Sequence, residues 1–215
     1  MSFENFDWDS LFPSYLQPEE KNRLQSALKQ FKDSQGNLDY SNFYFLKPKN
    51  YFMQSDIVQE IRYPFWNGKE DILNFEKKYC TSIILTNTCD ISMDNDRIFN
   101  KKQCLFAPII NLETFVNGLK ESDYEEKKLI TFIDNIKRQN ISNLFFLPAN
   151  HKDGLENIVL LDKVFWFPTA ELNEYLPSIN EERLLALNHF GFYLFMLKLS
   201  YHMCRLPEAC DRKVA

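Results

Sequence analysis

The feature that most constrains this chain is a succession of short apolar runs, each too brief for a stable helix and each closed by a residue that interrupts regular structure. The runs fall at 43–46, 57–63, 82–86, 104–110, 144–147 and 158–167, are rich in Ile, Val, Phe, Tyr and Trp, and are punctuated by Asn, Asp, Gly, Lys or Pro. They read as strands. Pro64, Pro108, Pro148 and Pro168 lie near their ends, which suits edges and termini because proline has no amide hydrogen to give a ladder. Closely spaced strands without alternating helices favour an antiparallel sheet or a small barrel over a parallel sheet. The expected fold class is α+β built on a small antiparallel barrel.

Helical spacing interrupts the strands in three places. Pro18, Glu19 and Glu20 open a short amphipathic helix carrying Leu24, Ala27, Leu28 and Phe31. From 111 to 140 a charged middle (Glu121, Asp123, Glu125, Glu126, Lys127, Lys128) gives way to Leu129, Phe132, Ile133 and Ile136, so a helical insertion is expected between two strands. Near the end, Asn180 followed by Glu181 and Glu182 is the N-cap and acidic first turn of a helix expected over 178–206, running through Leu184 and Leu187. Its stretch 192–197 is apolar on every side, so the helix must be surrounded or form an oligomer seam. With 215 residues the whole chain, 1–215, reads as one domain whose barrel core spans 52–170.

Composition removes several function classes. Only 5 glycines occur and no glycine-rich phosphate loop is present. A formal net charge of -5 argues against a DNA-coating protein, since nucleic-acid affinity would have to come from a local patch. Five cysteines (Cys80, Cys89, Cys104, Cys204, Cys210) are an odd number without a C-x-x-C pair, and read as reduced thiols. Glu4, Asp7 and Asp9 stand where a secretory signal would carry basic residues, and the most apolar stretch, 190–199, is about half the ~20 residues a bilayer span needs. A cytoplasmic protein without membrane, metal or cofactor is expected.

Five segments carry a family resemblance in order: "QSDIVQEIRYPF", "SIILTNTCDI", "CLFAPIIN", "LFFLP" and "IVLLDKVFWF", covering roughly 54–167 with the insertion excluded. The succession resembles the PemK/MazF family of toxin-fold proteins. The resemblance implies an SH3-like barrel of the MazF/PemK/CcdB type with a C-terminal helix. Family endoribonucleases carry an Arg before the second strand, to stabilise charge on the scissile phosphate, and a Thr closing the third. Those positions here fall at Tyr79 or Cys80, and at Ile110 beside Asn111. A guanidinium grips phosphate bidentately and a lysine does not, so Lys77, Lys78 and Asn111 are the catalytic candidates only if the chain cleaves RNA.

Other candidates come from residue type and place. Thr88, Cys89 and Asp90 follow a strand end, where a thiol beside Asn, Thr and Asp is either a binding group or a Cys packed under a loop. Trp66 and Trp166 sit at strand ends, where an indole closes a barrel mouth or stacks a partner group. Arg183 and His189 share a predicted helix but point about 240° apart. His202, Cys204 and Cys210 lack an evident fourth metal ligand.

Three functions follow. The leading expectation is a toxin-fold interaction or regulatory protein without conventional RNase activity, belonging to a prokaryotic toxin–antitoxin-like or antiphage defence system. It resembles toxin-fold components of such systems, including the partner that a CRISPR-associated Lon-type protease cleaves. The expected partner is a protein (antitoxin, regulator or protease), not DNA; RNA and a second copy of the chain stay open. The alternatives are an endoribonuclease toxin acting on single-stranded RNA and a structural dimerisation subunit.

Overall fold

The computed structural model describes residues 40, 43–45, 51–66, 75–92, 103–122, 125–150, 154–174 and 183–204. Among these, eight strands form one antiparallel sheet: β1 (Tyr44–Phe45), β2 (Asp56–Trp66), β3 (Phe75–Ile84), β4 (Gln103–Asn111), β5 (Leu144–Leu147), β6 (Asn157–Leu160), β7 (Phe165–Pro168) and β8 (Arg183–Leu187). The order is β1-β8-β2-β3-β4-β6-β5. β6 and β7 take the same edge of β4 in turn, β6 opposite residues 109–111 and β7 opposite residues 103–106. Five helices accompany the sheet: α1 (Thr88–Ile91), α2 (Leu112–Glu121), α3 (Glu126–Lys137), α4 (Thr169–Glu174) and α5 (His189–Cys204).

Strand side chains alternate between faces, and here each face carries a buried apolar core. Ile57, Ile83, Ala107, Phe145 and Val159 share one core with Phe190, Leu194 and Phe195 of α5. Their sequence neighbours point the other way. Val58, Ile84 and Phe106 join Phe165 and Phe167 of β7, Ile91 of α1 and Leu172 of α4. Phe146 and Ile158 instead join Leu112, Val116, Leu129 and Ile136 of the α2–α3 pair. Double-sided burial is why the strands read as unbroken apolar runs rather than alternating ones. These cores hold the fold. The ion pairs, such as Arg62–Glu171 at 3.7 Å, join substantially exposed groups and contribute no more than about 1 kcal/mol each.

The antiparallel α+β expectation agrees with the structure, but the barrel does not close. β1 and β5, the two ends of the sheet, meet through side chains: Phe43 lies 6.2 Å from Phe145, ring to ring, and the Tyr44 hydroxyl donates to the Pro148 carbonyl at 2.6 Å. β2 bends at a bulge between Val58 and Ile61, where Glu60 takes a φ of 55°, and the bend sets Tyr63 edge-on to Phe165 of β7 at 5.0 Å. Neither approach forms a ladder. A closed barrel buries one face against itself, whereas here helices cover both faces, so closure is not needed to exclude water.

At β5 the outer edge is capped by a side chain. Gln139 accepts from the Phe146 amide at 3.0 Å and donates to the Phe146 carbonyl at 2.8 Å, reproducing what a neighbouring strand would supply. The backbone carbonyl of Gln139 in turn accepts from the buried Lys198 ammonium of α5, and Tyr40 donates to the Lys137 carbonyl at 2.9 Å beside it.

The C-terminal helix differs from its expectation. Residues 183–187 are strand β8, paired with β1 and β2, although Arg-Leu-Leu-Ala-Leu has strong helix propensity. Ladder bonds on both edges and burial of Leu185, Ala186 and Leu187 outweigh a preference of a few tenths of a kcal/mol per residue. The helix begins at 189, with the Asn188 side chain accepting from the Gly191 amide at 2.8 Å. It is not surrounded: Tyr193, Tyr201 and Met203 lie on the surface. The expected N-cap at Asn180 and the helix after Pro18 lie outside the described residues.

Two predictions follow from this packing. A Cβ at Gly191 would stand 2.8 Å from the Phe43 carbonyl oxygen, so Gly191→Ala should lower stability in urea unfolding by about 1–3 kcal/mol, against the gain of roughly 1 kcal/mol usual inside a helix. Burial lowers the Lys198 pKa from 10.5 to about 8. The unfolded chain therefore holds this proton more tightly, the penalty is fully present below pH 8, and stability rises as the pH climbs from about 8 to 10.5. Lys198→Met should remove that rise, seen as the difference between the two unfolding profiles.

Candidate functional site

The face covered by α5 changes character along its strands. Ile57 is followed on that face by Gln59, Ile83 is preceded by Thr81, Ala107 leads through Ile109 to Asn111, and Val159 is preceded by Asn157. The result is a polar mouth beside an apolar core. A cavity of 260 Å³ opens there, its polar wall made by Gln59, Thr81, Asn111, Asn150, Asn157 and Tyr44 and its apolar floor by Ile57, Ile109, Leu147, Leu155 and Leu185. Among the described residues no charged side chain lines it. Such a wall can exchange hydrogen bonds with a neutral group.

Asn111 serves the fold at this mouth. It is the N-cap of α2, accepting from the Thr114 amide at 3.0 Å while its amide nitrogen donates to the Glu156 carbonyl at 3.1 Å. Both ends of its side chain are occupied. Lys78 lies opposite Tyr63 and is exposed. A directly opposed pair shares a face, and Tyr63 packs on Phe165, so the sheet separates Lys78 from Asn111. Lys77 pairs through its backbone with Pro64; its side chain lies outside the described residues, as does that of Trp66, which pairs with Phe75 at the end of the same hairpin.

The remaining candidates lie at two other places. Asn87 caps α1, accepting from the Cys89 amide at 3.1 Å, and the Thr88 hydroxyl accepts from the Gln54 amide at 3.0 Å. Cys89 is exposed and Asp90 is half-buried. Just before them, the Thr86 hydroxyl accepts from the Leu105 amide at 2.6 Å, and Leu105 stands opposite Trp166. Trp166 is 57% exposed and Leu105 44%, an apolar pair on the face opposite Phe106 and Phe165, whereas α1 packs through Ile91 onto the face of Phe106 and Phe165. Trp66 is not part of this group by register.

The other thiols are set apart by burial, which pushes Cys104 up to about 12 and raises Cys80. Arg183 and His189 do not share a helix, because Arg183 belongs to β8. Among the described residues no group of His, Cys, Asp and Glu could hold a metal, and no described helix is long and apolar enough to cross a membrane. The sequence reading missed Gln59, Thr81, Asn150 and Asn157. For Gln59, Thr81 and Asn157 the signal was a polar residue two positions along a strand from a core residue, legible only once the face of each strand is known; Asn150 lies beyond β5, where no strand periodicity marks it. No protein-family model matches the chain, and no curated protein matches it significantly in sequence.

Thiol accessibility gives a direct test of this layout. Alkylation of the native protein followed by peptide mapping should label Cys89 ahead of Cys80, and Cys104 only after unfolding; early labelling of Cys104 would contradict the packing around β4.

Proposed function

We propose that this chain is a non-catalytic interaction or regulatory protein, an opened-out relative of the PemK/MazF toxin fold that acts by binding a protein partner in a toxin–antitoxin-like or antiphage defence setting. One observation carries the reading. Two of the groups that would have to cooperate on a scissile phosphate, Asn111 and Lys78, do not: Asn111 is held at both ends as a helix cap and Lys78 stands across the sheet from it. Phosphodiester cleavage needs a cation and hydrogen-bonding groups aimed at one point. The polar mouth, neutral among the described residues, supports the same conclusion.

A protein partner is favoured by the Leu105–Trp166 pair. A tryptophan left 57% exposed beside a leucine is the kind of anchor that dominates protein interfaces, where aromatic side chains carry most of the binding energy. Thr86, whose hydroxyl accepts from the Leu105 amide, would lie at its rim.

Purified protein should leave single-stranded RNA intact, and its expression alone should not halt growth. Cleavage abolished by Lys78→Ala or Asn111→Ala would overturn the proposal. The product of a neighbouring gene should copurify with the chain, and Trp166→Asp should abolish that association while leaving the unfolding transition in place.

A further inference from the structure

The mouth cavity carries hydrogen-bonding capacity that the fold does not use. Gln59 sits in the β2 bulge between the Val58–Ser82 and Ile61–Cys80 pairs, and Thr81 lies between their partners on β3. Both line the cavity, and among the described residues neither side chain hydrogen-bonds another group. Across the mouth, Asn157 donates its amide nitrogen to the Leu155 carbonyl at 3.2 Å, which leaves its carbonyl oxygen able to accept. One full amide, one hydroxyl and one amide oxygen therefore converge on a space floored by aliphatic side chains.

The chemistry of that space selects its occupant. Its described lining of amides and hydroxyls exchanges hydrogen bonds with an uncharged group. A cavity of 260 Å³ has room for several waters, more than a lone carboxamide fills. An apolar floor suits a flat ring. A glutamine or asparagine amide matches a ring edge that presents a donor beside an acceptor, as adenine does.

We infer that the amide-lined mouth of the sheet, formed by Gln59, Thr81 and Asn157 over Ile57 and Ile109, binds an uncharged nucleobase through its hydrogen-bonding edge. The base can be a free nucleoside or part of an RNA strand. In either case recognition is of the base, and phosphate contributes nothing. The site is independent of the protein-partner reading, which rests on the opposite end of β4.

The test is calorimetric and NMR titration of the full chain with adenosine, adenosine monophosphate, a single-stranded adenylate hexamer and acetylasparagine amide. Saturable adenosine binding that is insensitive to salt, with the monophosphate within about threefold, is the expected result. Gln59→Leu should weaken it about tenfold or more. Thr81→Val, nearly isosteric, should weaken it as well and carries the test if the first variant does not fold. A hexamer that binds with adenosine's affinity per base assigns the base to RNA as well as to the free nucleoside, and both support the site. Absence of saturable adenosine binding would overturn the inference. So would salt-sensitive binding that requires phosphate, equal binding by acetylasparagine amide, or full binding by a folded Gln59→Leu.

Discussion

A sheet that curls without closing has two faces and two ends to keep from water, and every other feature of this molecule answers that requirement. The faces are covered by helices: α5 on one, the α2–α3 pair with α1 and α4 on the other. The ends are sealed by side chains. Tyr44 reaches the Pro148 carbonyl where β1 approaches β5, and Gln139 satisfies both backbone groups of Phe146 on the edge where no described strand pairs. An unpaired buried amide and carbonyl would each cost about 1–3 kcal/mol, comparable to a fair share of a domain's net stability.

The same arrangement explains where polarity survives. Lys198 is buried because α5 must lie against the end of β5, and its stem covers apolar surface while its ammonium donates to the Gln139 carbonyl. Toward the mouth, α5 no longer covers the strands, and the residues on that face become Gln59, Thr81, Asn111 and Asn157. They are amides and a hydroxyl, groups that exchange hydrogen bonds.

Much of the architecture was legible in the chain. The runs at 57–63, 104–110 and 144–147 declared strands, and the spacing of Leu129, Phe132, Ile133 and Ile136 declared α3. Two features were not. Residues 183–187 have a helix-forming composition, and only the vacancy between β1 and β2 makes them a strand. Closure also could not be read, because an unbroken apolar run fits a barrel wall and a doubly covered sheet equally well. The mouth was hidden for a related reason. Asn111 was visible as a polar residue after "API", but Gln59, Thr81 and Asn157 become a group only when the register places them on one face.

The account depends most on the seal at β5, and one amide reports on it. The Phe146 amide points to the outer edge of the sheet, where a frayed or open strand would exchange its hydrogen as fast as a solvent-exposed loop. Native-state hydrogen exchange should find it as protected as the central amides of β3 and β4, released only when the whole domain unfolds. Exchange on the timescale of an exposed amide would show that the edge is open, and would contradict a sheet sealed by side chains in place of closure.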